Sequence, residues 1–154
     1  SDAVTNASTY YLVFNCDAGL RMPLWKAAYC GDWGVVRKLC DSRANVNASC
    51  ECGRTPLWVA AKYGHVDAVR ELCAVGANMD DADAHGVTPL TIAAKCGSDE
   101  VVRLLCDDGA ELSSCCSVFS ESSNVWLYDC TPLFIASDYG HVKWCACSLR
   151  LAPL

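Results

Sequence analysis

Apolar residues recur along this chain in short clusters at helical spacing, separated by polar stretches rich in Gly, Asn and Asp. Val35-Val36-Arg37-Lys38-Leu39-Cys40 and Val101-Val102-Arg103-Leu104-Leu105-Cys106 each mix a two-sided apolar stripe with outward basic residues, which predicts amphipathic helices. A shorter segment precedes each of them, headed by Pro and closed by paired Ala. Pro at the first helical position loses no hydrogen bond, and the preceding Thr can cap the helix. A Gly follows as a left-handed helix stop. The pattern changes around residues 114–128. There Ser117-Val118-Phe119 and Asn124-Val125-Trp126-Leu127-Tyr128 flank Ser120–Ser123 and predict two strands paired as an elongated finger.

These clusters are copies of one unit. Pro23, Pro56 and Pro89 stand 33 residues apart and Pro132 follows after 43; Gly31, Gly64, Gly97 and Gly140 keep the same intervals. Around them lie Met22-Pro23-Leu24-Trp25-Lys26-Ala27-Ala28, Thr55-Pro56-Leu57-Trp58-Val59-Ala60-Ala61, Thr88-Pro89-Leu90-Thr91-Ile92-Ala93-Ala94 and Thr131-Pro132-Leu133-Phe134-Ile135-Ala136-Ser137. Ala44-Asn45-Val46-Asn47, Ala77-Asn78-Met79-Asp80 and Ala110-Glu111-Leu112-Ser113 repeat at the same spacing, as turns that return the chain to the next unit.

With a 33-residue period, Thr-Pro-Leu, paired Ala and Gly-His in register, the chain resembles the ankyrin-repeat family across roughly residues 17–150. The expected fold class is all-α with β-hairpin-like turns: a solenoid of helix-turn-helix units forming a single domain over residues 1–154. Residues 1–19 form an N-terminal arm, and the repeats are placed at about 20–52, 53–85 and 86–128, with an insertion near 114–123 and a shortened last unit at 129–154. Three departures from the family pattern matter. Trp25, Trp58, Thr91 and Phe134 replace the His that braces the hairpin in the family, so those braces are expected to be missing. Arg43 and Asp129 stand where the family has Gly, and a non-Gly residue at positive φ costs about 1 kcal/mol or more. The insertion is expected either to be functional or to be merely tolerated.

Composition narrows the function. Hydrophobic residues are 53% and charged residues 19%, which excludes disorder, and no apolar run approaches the ~20 residues of a membrane span. The net charge of −6 is the wrong sign for a general nucleic-acid binder. It is also uneven: residues 80–111 hold two Lys/Arg against eight Asp/Glu, whereas residues 1–79 hold eight against seven. A solvated face is the simpler account of that surplus. His65 and His141 sit at the structural Gly-His position, and no phosphate loop or nucleophile pattern accompanies His85, so catalysis and a cofactor are not expected. Thirteen Cys with no visible secretory signal point to an intracellular, reducing compartment, cytoplasmic or organellar if a targeting segment has been removed. Cys40, Cys73 and Cys106 recur at 33 and read as core packing, while the close pairs lack zinc-site spacing.

What remains is a binding surface. The resemblance implies that protein partners dock on a concave face lined by hairpin tips and inner-helix exits. Carried over position by position, the candidate contacts are Arg21, Tyr29, Glu51, Arg54, Lys62, Tyr63, His85, Val87, Lys95, Leu127, Tyr128, Asp138 and Tyr139. The four Tyr either serve that interface or pack against the adjacent unit. Three functions stay open: a protein-interaction module or scaffold; a fixed accessory subunit of a large assembly, such as a respiratory or photosynthetic membrane complex; and a Cys-based metal or redox protein. The second rests on apolar ends, Tyr10-Tyr11-Leu12-Val13-Phe14 and Leu149-Arg150-Leu151-Ala152-Pro153-Leu154, where terminal repeats usually turn a polar face to water.

Overall fold

The computed structural model describes residues 23–120 and 124–141. Within them lie seven helices and one antiparallel strand pair. Helices α1 (Pro23–Cys30), α3 (Pro56–Lys62), α5 (Pro89–Cys96) and α7 (Pro132–Asp138) are the inner row. Helices α2 (Trp33–Asp41), α4 (Val66–Ala74) and α6 (Asp99–Asp107) are the outer row. Each inner helix packs on the next inner helix and, through α6, on its own outer partner, so the units stack side by side as a helical repeat solenoid.

Local chemistry sets each helix. The hydroxyls of Thr55, Thr88 and Thr131 accept the backbone N–H groups of Trp58, Thr91 and Phe134, and Pro fills the first helical position after each. The paired alanines of α1, α3 and α5 are buried where the inner helices meet. Their single methyl groups let neighbouring backbones approach closely, and anything larger would overpack the seam. Outer helices contribute Val36, Val69, Leu72, Val102 and Leu105 to the same core, while Arg37, Arg70 and Arg103 face solvent. The Asp83 N–H donates to the Val87 carbonyl and the Cys50 N–H to the Arg54 carbonyl, closing two short hairpins. The expected finger forms as well: β1 (Cys116–Ser120) pairs with β2 (Val125–Cys130), with Cys116 opposite Cys130 and an irregularity before Val118.

Backbone ties run along the hairpin row. Ala84 donates to the carbonyl of Cys52 at 3.0 Å, and Ser117 donates to the carbonyl of His85 at 3.1 Å. The finger therefore continues the hairpin series, with the inserted residues lengthening its arms. At the opposite edge, Asn47 Oδ1 accepts from the Asn78 amide and Asp80 Oδ1 from the Glu111 amide, so the return turns are stitched from unit to unit. Part of the acidic surplus is thus structural: Asp80 and Asp83 cap turns, and Asp99 and Glu100 lie in the first turn of α6, where a helix favours negative charge.

Two expectations need correction. The missing braces are restored in the first two units by the residues that displaced the histidines. Trp25 Nε1 donates to the carbonyl of Arg54 at 3.3 Å, and Trp58 Nε1 donates to the carbonyl of Val87 at 2.9 Å. An indole reaches as far as an imidazole and carries its own N–H donor. Thr91 is too short for this and bonds Thr88 Oγ1 at 2.9 Å, and Phe134 has no donor. The second correction concerns Cys40, Cys73 and Cys106, which are half-buried at the core's rim. The fully enclosed positions are Leu72 and Leu105, one residue earlier, because each helical step turns the side chain by about 100°.

Histidine takes a separate bracing role at the inner-helix exits. His65 Nε2 meets the carbonyl of Tyr29 at 3.0 Å, and His141 Nε2 that of Lys95 at 3.2 Å. A Cβ on Gly31 would come within 2.6 Å of the His65 ring, so this glycine is required by close approach as well as by its φ of 71°. Ser98 occupies the corresponding place in the third unit, where its Oγ would lie 3.1 Å from a Cβ on Gly64.

Two stability outcomes follow. Trp58→Phe keeps the ring but removes the buried N–H, and should lower stability by about 0.5–1.5 kcal/mol in urea titration; an unchanged midpoint would mean the bond adds nothing. Arg43 holds φ 61° without a glycine, so Arg43→Gly should raise stability by about 1 kcal/mol, and a lowered midpoint would contradict the strain.

Candidate binding groove

The candidate residues that the structure describes divide into distinct places, and Arg21 lies outside the described residues. Arg54, Lys62, His85, Val87 and Lys95 converge on one groove of about 360 Å³, completed by Trp58, Asp83, Ile92, Cys96, Ser117, Val118 and Trp126. Its floor is α3 and α5, one wall is the hairpin of residues 83–87, and the other is the finger. Val87 is an exception to the outward reading. Its side chain is only 6% exposed, because the hairpin end turns it down onto the core and leaves its carbonyl to serve Trp58.

Arg54 is fixed from two sides. Its guanidinium lies 4.7 Å from the Trp58 ring centre, and Nε stands 3.8 Å from Asp83 Oδ2. The other Asp83 oxygen accepts the backbone N–H groups of His85 and Val87, so this buried carboxylate is used up inside the hairpin. Lys62 reaches over two rings, 5.8 Å from Trp58 and 5.3 Å from Tyr63. Burial, and then the nearby Arg54 charge, push its ammonium below the ordinary lysine pKa, with Lys95 acting in the same sense. Lys95 lies 5.2 Å from the centre of Tyr139. Three cations thus share a groove whose single carboxylate is already engaged.

The tyrosines pack against neighbouring rings to different degrees and differ in exposure. Tyr29 and Tyr63 meet edge to face at 4.9 Å, Tyr29 stacks with Trp25, and Tyr63 remains 39% exposed. Burial raises the Tyr63 phenol above its usual value. Tyr128 is 70% exposed on the finger, while Leu127 turns toward the core. Glu51 and Asp138 are exposed away from the groove lining. Two of the lining residues that were not among the candidates stand out. Trp58 is the platform under Arg54 and Lys62, and its spacing of four from Lys62 puts both on one helix face. Trp126 is 49% exposed beside His85, ring centres 6.0 Å apart, and its alternation with Leu127 was the available sign.

The family model described as ankyrin repeats (3 copies) matches residues 4–83 and, overlapping them, 24–115. The chain belongs to the ankyrin-repeat family. No curated protein matches it. Ankyrin repeats generally mediate protein–protein interaction and are typically non-catalytic. The finger and the ankyrin-like helix α7 lie beyond the matched residues, yet α7 keeps the Thr cap, the Pro and the left-handed Gly140 of the units before it.

Five thiols of this ankyrin domain are shifted away from reactivity. Burial raises Cys40, Cys96 and Cys130, and pushes Cys73 and Cys116 up to about 11. A reactive or metal-binding cysteine needs the opposite direction. Among the described residues no group of three His, Cys, Asp or Glu side chains could hold a metal ion. No described helix is long and apolar enough to cross a membrane. The apolar ends on which the fixed-subunit reading rests lie outside the described residues.

The raised thiols carry a pH signature. Cys73 ionises near 8.5 when unfolded and near 11 when folded, so its contribution is complete below about pH 8.5 and is lost as pH rises toward 11. Between pH 8.5 and 10.5 the urea midpoint of the wild type should fall relative to that of Cys73→Ala. Parallel profiles would contradict the burial of this thiol.

Proposed function

We propose that the chain is a non-catalytic interaction module, or scaffold, that docks a protein partner on its concave, hairpin-and-inner-helix face. The observation that carries this reading is the groove itself: Arg54, Lys62 and Lys95 are held against Trp58, Tyr63 and Tyr139 while half-exposed aromatic surface is left open. Exposed aromatic rings beside basic side chains are the composition of binding anchors. Arg70 and Arg103 on the convex side lie instead among Glu100, Leu104, Asp107 and Asp108, which suits solvation. The reading includes a reducing, intracellular compartment, where Cys40 and Cys73 stay thiols packed at the core's rim.

Affinity capture with quantitative mass spectrometry tests the reading. Partners enriched by the wild type should also be enriched by Arg103→Ala, whose effect on binding should be under about 0.5 kcal/mol. Tyr63→Ala should cost about 1–3 kcal/mol as an anchor, and should deplete those partners. Equal losses from the two variants, with both folded by circular dichroism, would place the interface elsewhere.

A further inference from the structure

The groove between the 83–87 hairpin, helices α3 and α5 and the finger has a narrower specificity than protein docking in general. We infer that it takes an acidic peptide, seating an Asp or Glu carboxylate among Arg54, Lys62 and Lys95 with a neighbouring apolar side chain against the exposed ring of Trp126. This rests on the interaction-module reading and adds the chemistry of the ligand.

Shape limits the occupant first. A volume of about 360 Å³ accommodates a few side chains of a peptide rather than a broad protein surface. Charge sets the next limit. Among the lining residues three cations face one carboxylate, and Asp83 accepts two backbone N–H groups of its own hairpin through Oδ1 while Oδ2 lies 3.8 Å from Arg54 Nε. The cations also crowd one another, which an incoming anion would relieve. Yet the chain as a whole carries −6, so this is a local concentration of positive charge. The acidic residues Glu100, Asp107 and Asp108 cluster on the outer-helix side, and at physiological salt charges beyond about 8 Å are largely screened.

The apolar part of the ligand is set by the finger. Val118 and Ile92 line the groove but are themselves buried, so the apolar surface left open there is the Trp126 ring, 49% exposed. A ligand carrying charge alone would leave this surface in contact with water, whereas a bulky apolar residue beside the acid covers it. The finger is anchored by Ser117 to the His85 carbonyl, and Trp126 lies beside the His85 ring, so the wall is held in place before a ligand arrives.

The test is selection from a library of random dodecapeptides displayed on phage, panned on the immobilised 154-residue chain. Selected sequences should carry Asp or Glu within a few positions of a bulky apolar residue. A synthetic selected peptide, followed by fluorescence anisotropy, should bind Lys62→Gln/Lys95→Gln about tenfold more weakly and Trp126→Ala about fivefold more weakly, with Arg70→Gln unchanged. Binding should also weaken as salt rises. Selected peptides with no excess of acid, or insensitivity to the lysine double variant, would overturn the inference. So would a tenfold gain on replacing the acid by phosphoserine, which would make the ligand a phosphopeptide. If no peptide is enriched while Tyr63-dependent capture of a folded partner persists, the acidic-peptide inference fails and the interaction reading stands. Loss of both would sink the two together.

Discussion

The close approach of successive inner helices is the constraint on which everything else depends. Ala27, Ala28, Ala60, Ala61, Ala93 and Ala94 are all buried along the seam, each offering no more than a methyl group. Close packing of this kind tolerates little added volume. It brings the hairpins into register, so that Ala84 reaches Cys52 and Ser117 reaches His85 through main-chain bonds. It also brings side chains from distant parts of the sequence, Arg54, Lys95 and Trp126, onto one groove. A repeat that cannot bury its apolar face alone thereby makes a binding surface as a by-product of burying it collectively.

The groove's chemistry comes from departures from the repeat pattern. Trp58 braces the next hairpin through its N–H, as a histidine would, but its larger ring also supports Arg54 and Lys62. One substitution thus conserves stability and adds a platform for cations. The insertion acts similarly. Placed inside a hairpin, it leaves the stack undisturbed and raises a second wall beside the groove. Loop closure entropy grows slowly with length, so such an extension costs little while the arms pair.

The architecture was legible because it is written several times over: Thr-Pro-Leu, paired Ala and Gly at fixed intervals repeat the same instruction. Positive φ at Arg43 and Asp129 was legible for the same reason, since neighbouring units show Gly at those places. The Trp braces were not, because the family residue suggests an imidazole and nothing in a sequence measures reach. Cys73 read as core because it is apolar and periodic, but a single helical step separates the core's interior from its rim. The groove was legible only in part. Lys62 and Lys95 are visible as helix exits, whereas Trp126 belongs to the one segment that has no second copy with which to compare it. Repetition explains what was readable; singular features required the packing.

The central claim is that the finger is a fixed wall of the groove and continues the hairpin row. Nuclear magnetic resonance of the isotopically labelled chain tests it most directly, through the Ser117 amide and the rings of Trp126 and His85. The bond from Ser117 to the His85 carbonyl at 3.1 Å and the ring separation of 6.0 Å predict a slowly exchanging Ser117 amide and a nuclear Overhauser effect between the two rings. A Ser117 amide that exchanges at the rate of an unstructured peptide, with no effect between the rings, would leave the groove open on that side and contradict the account.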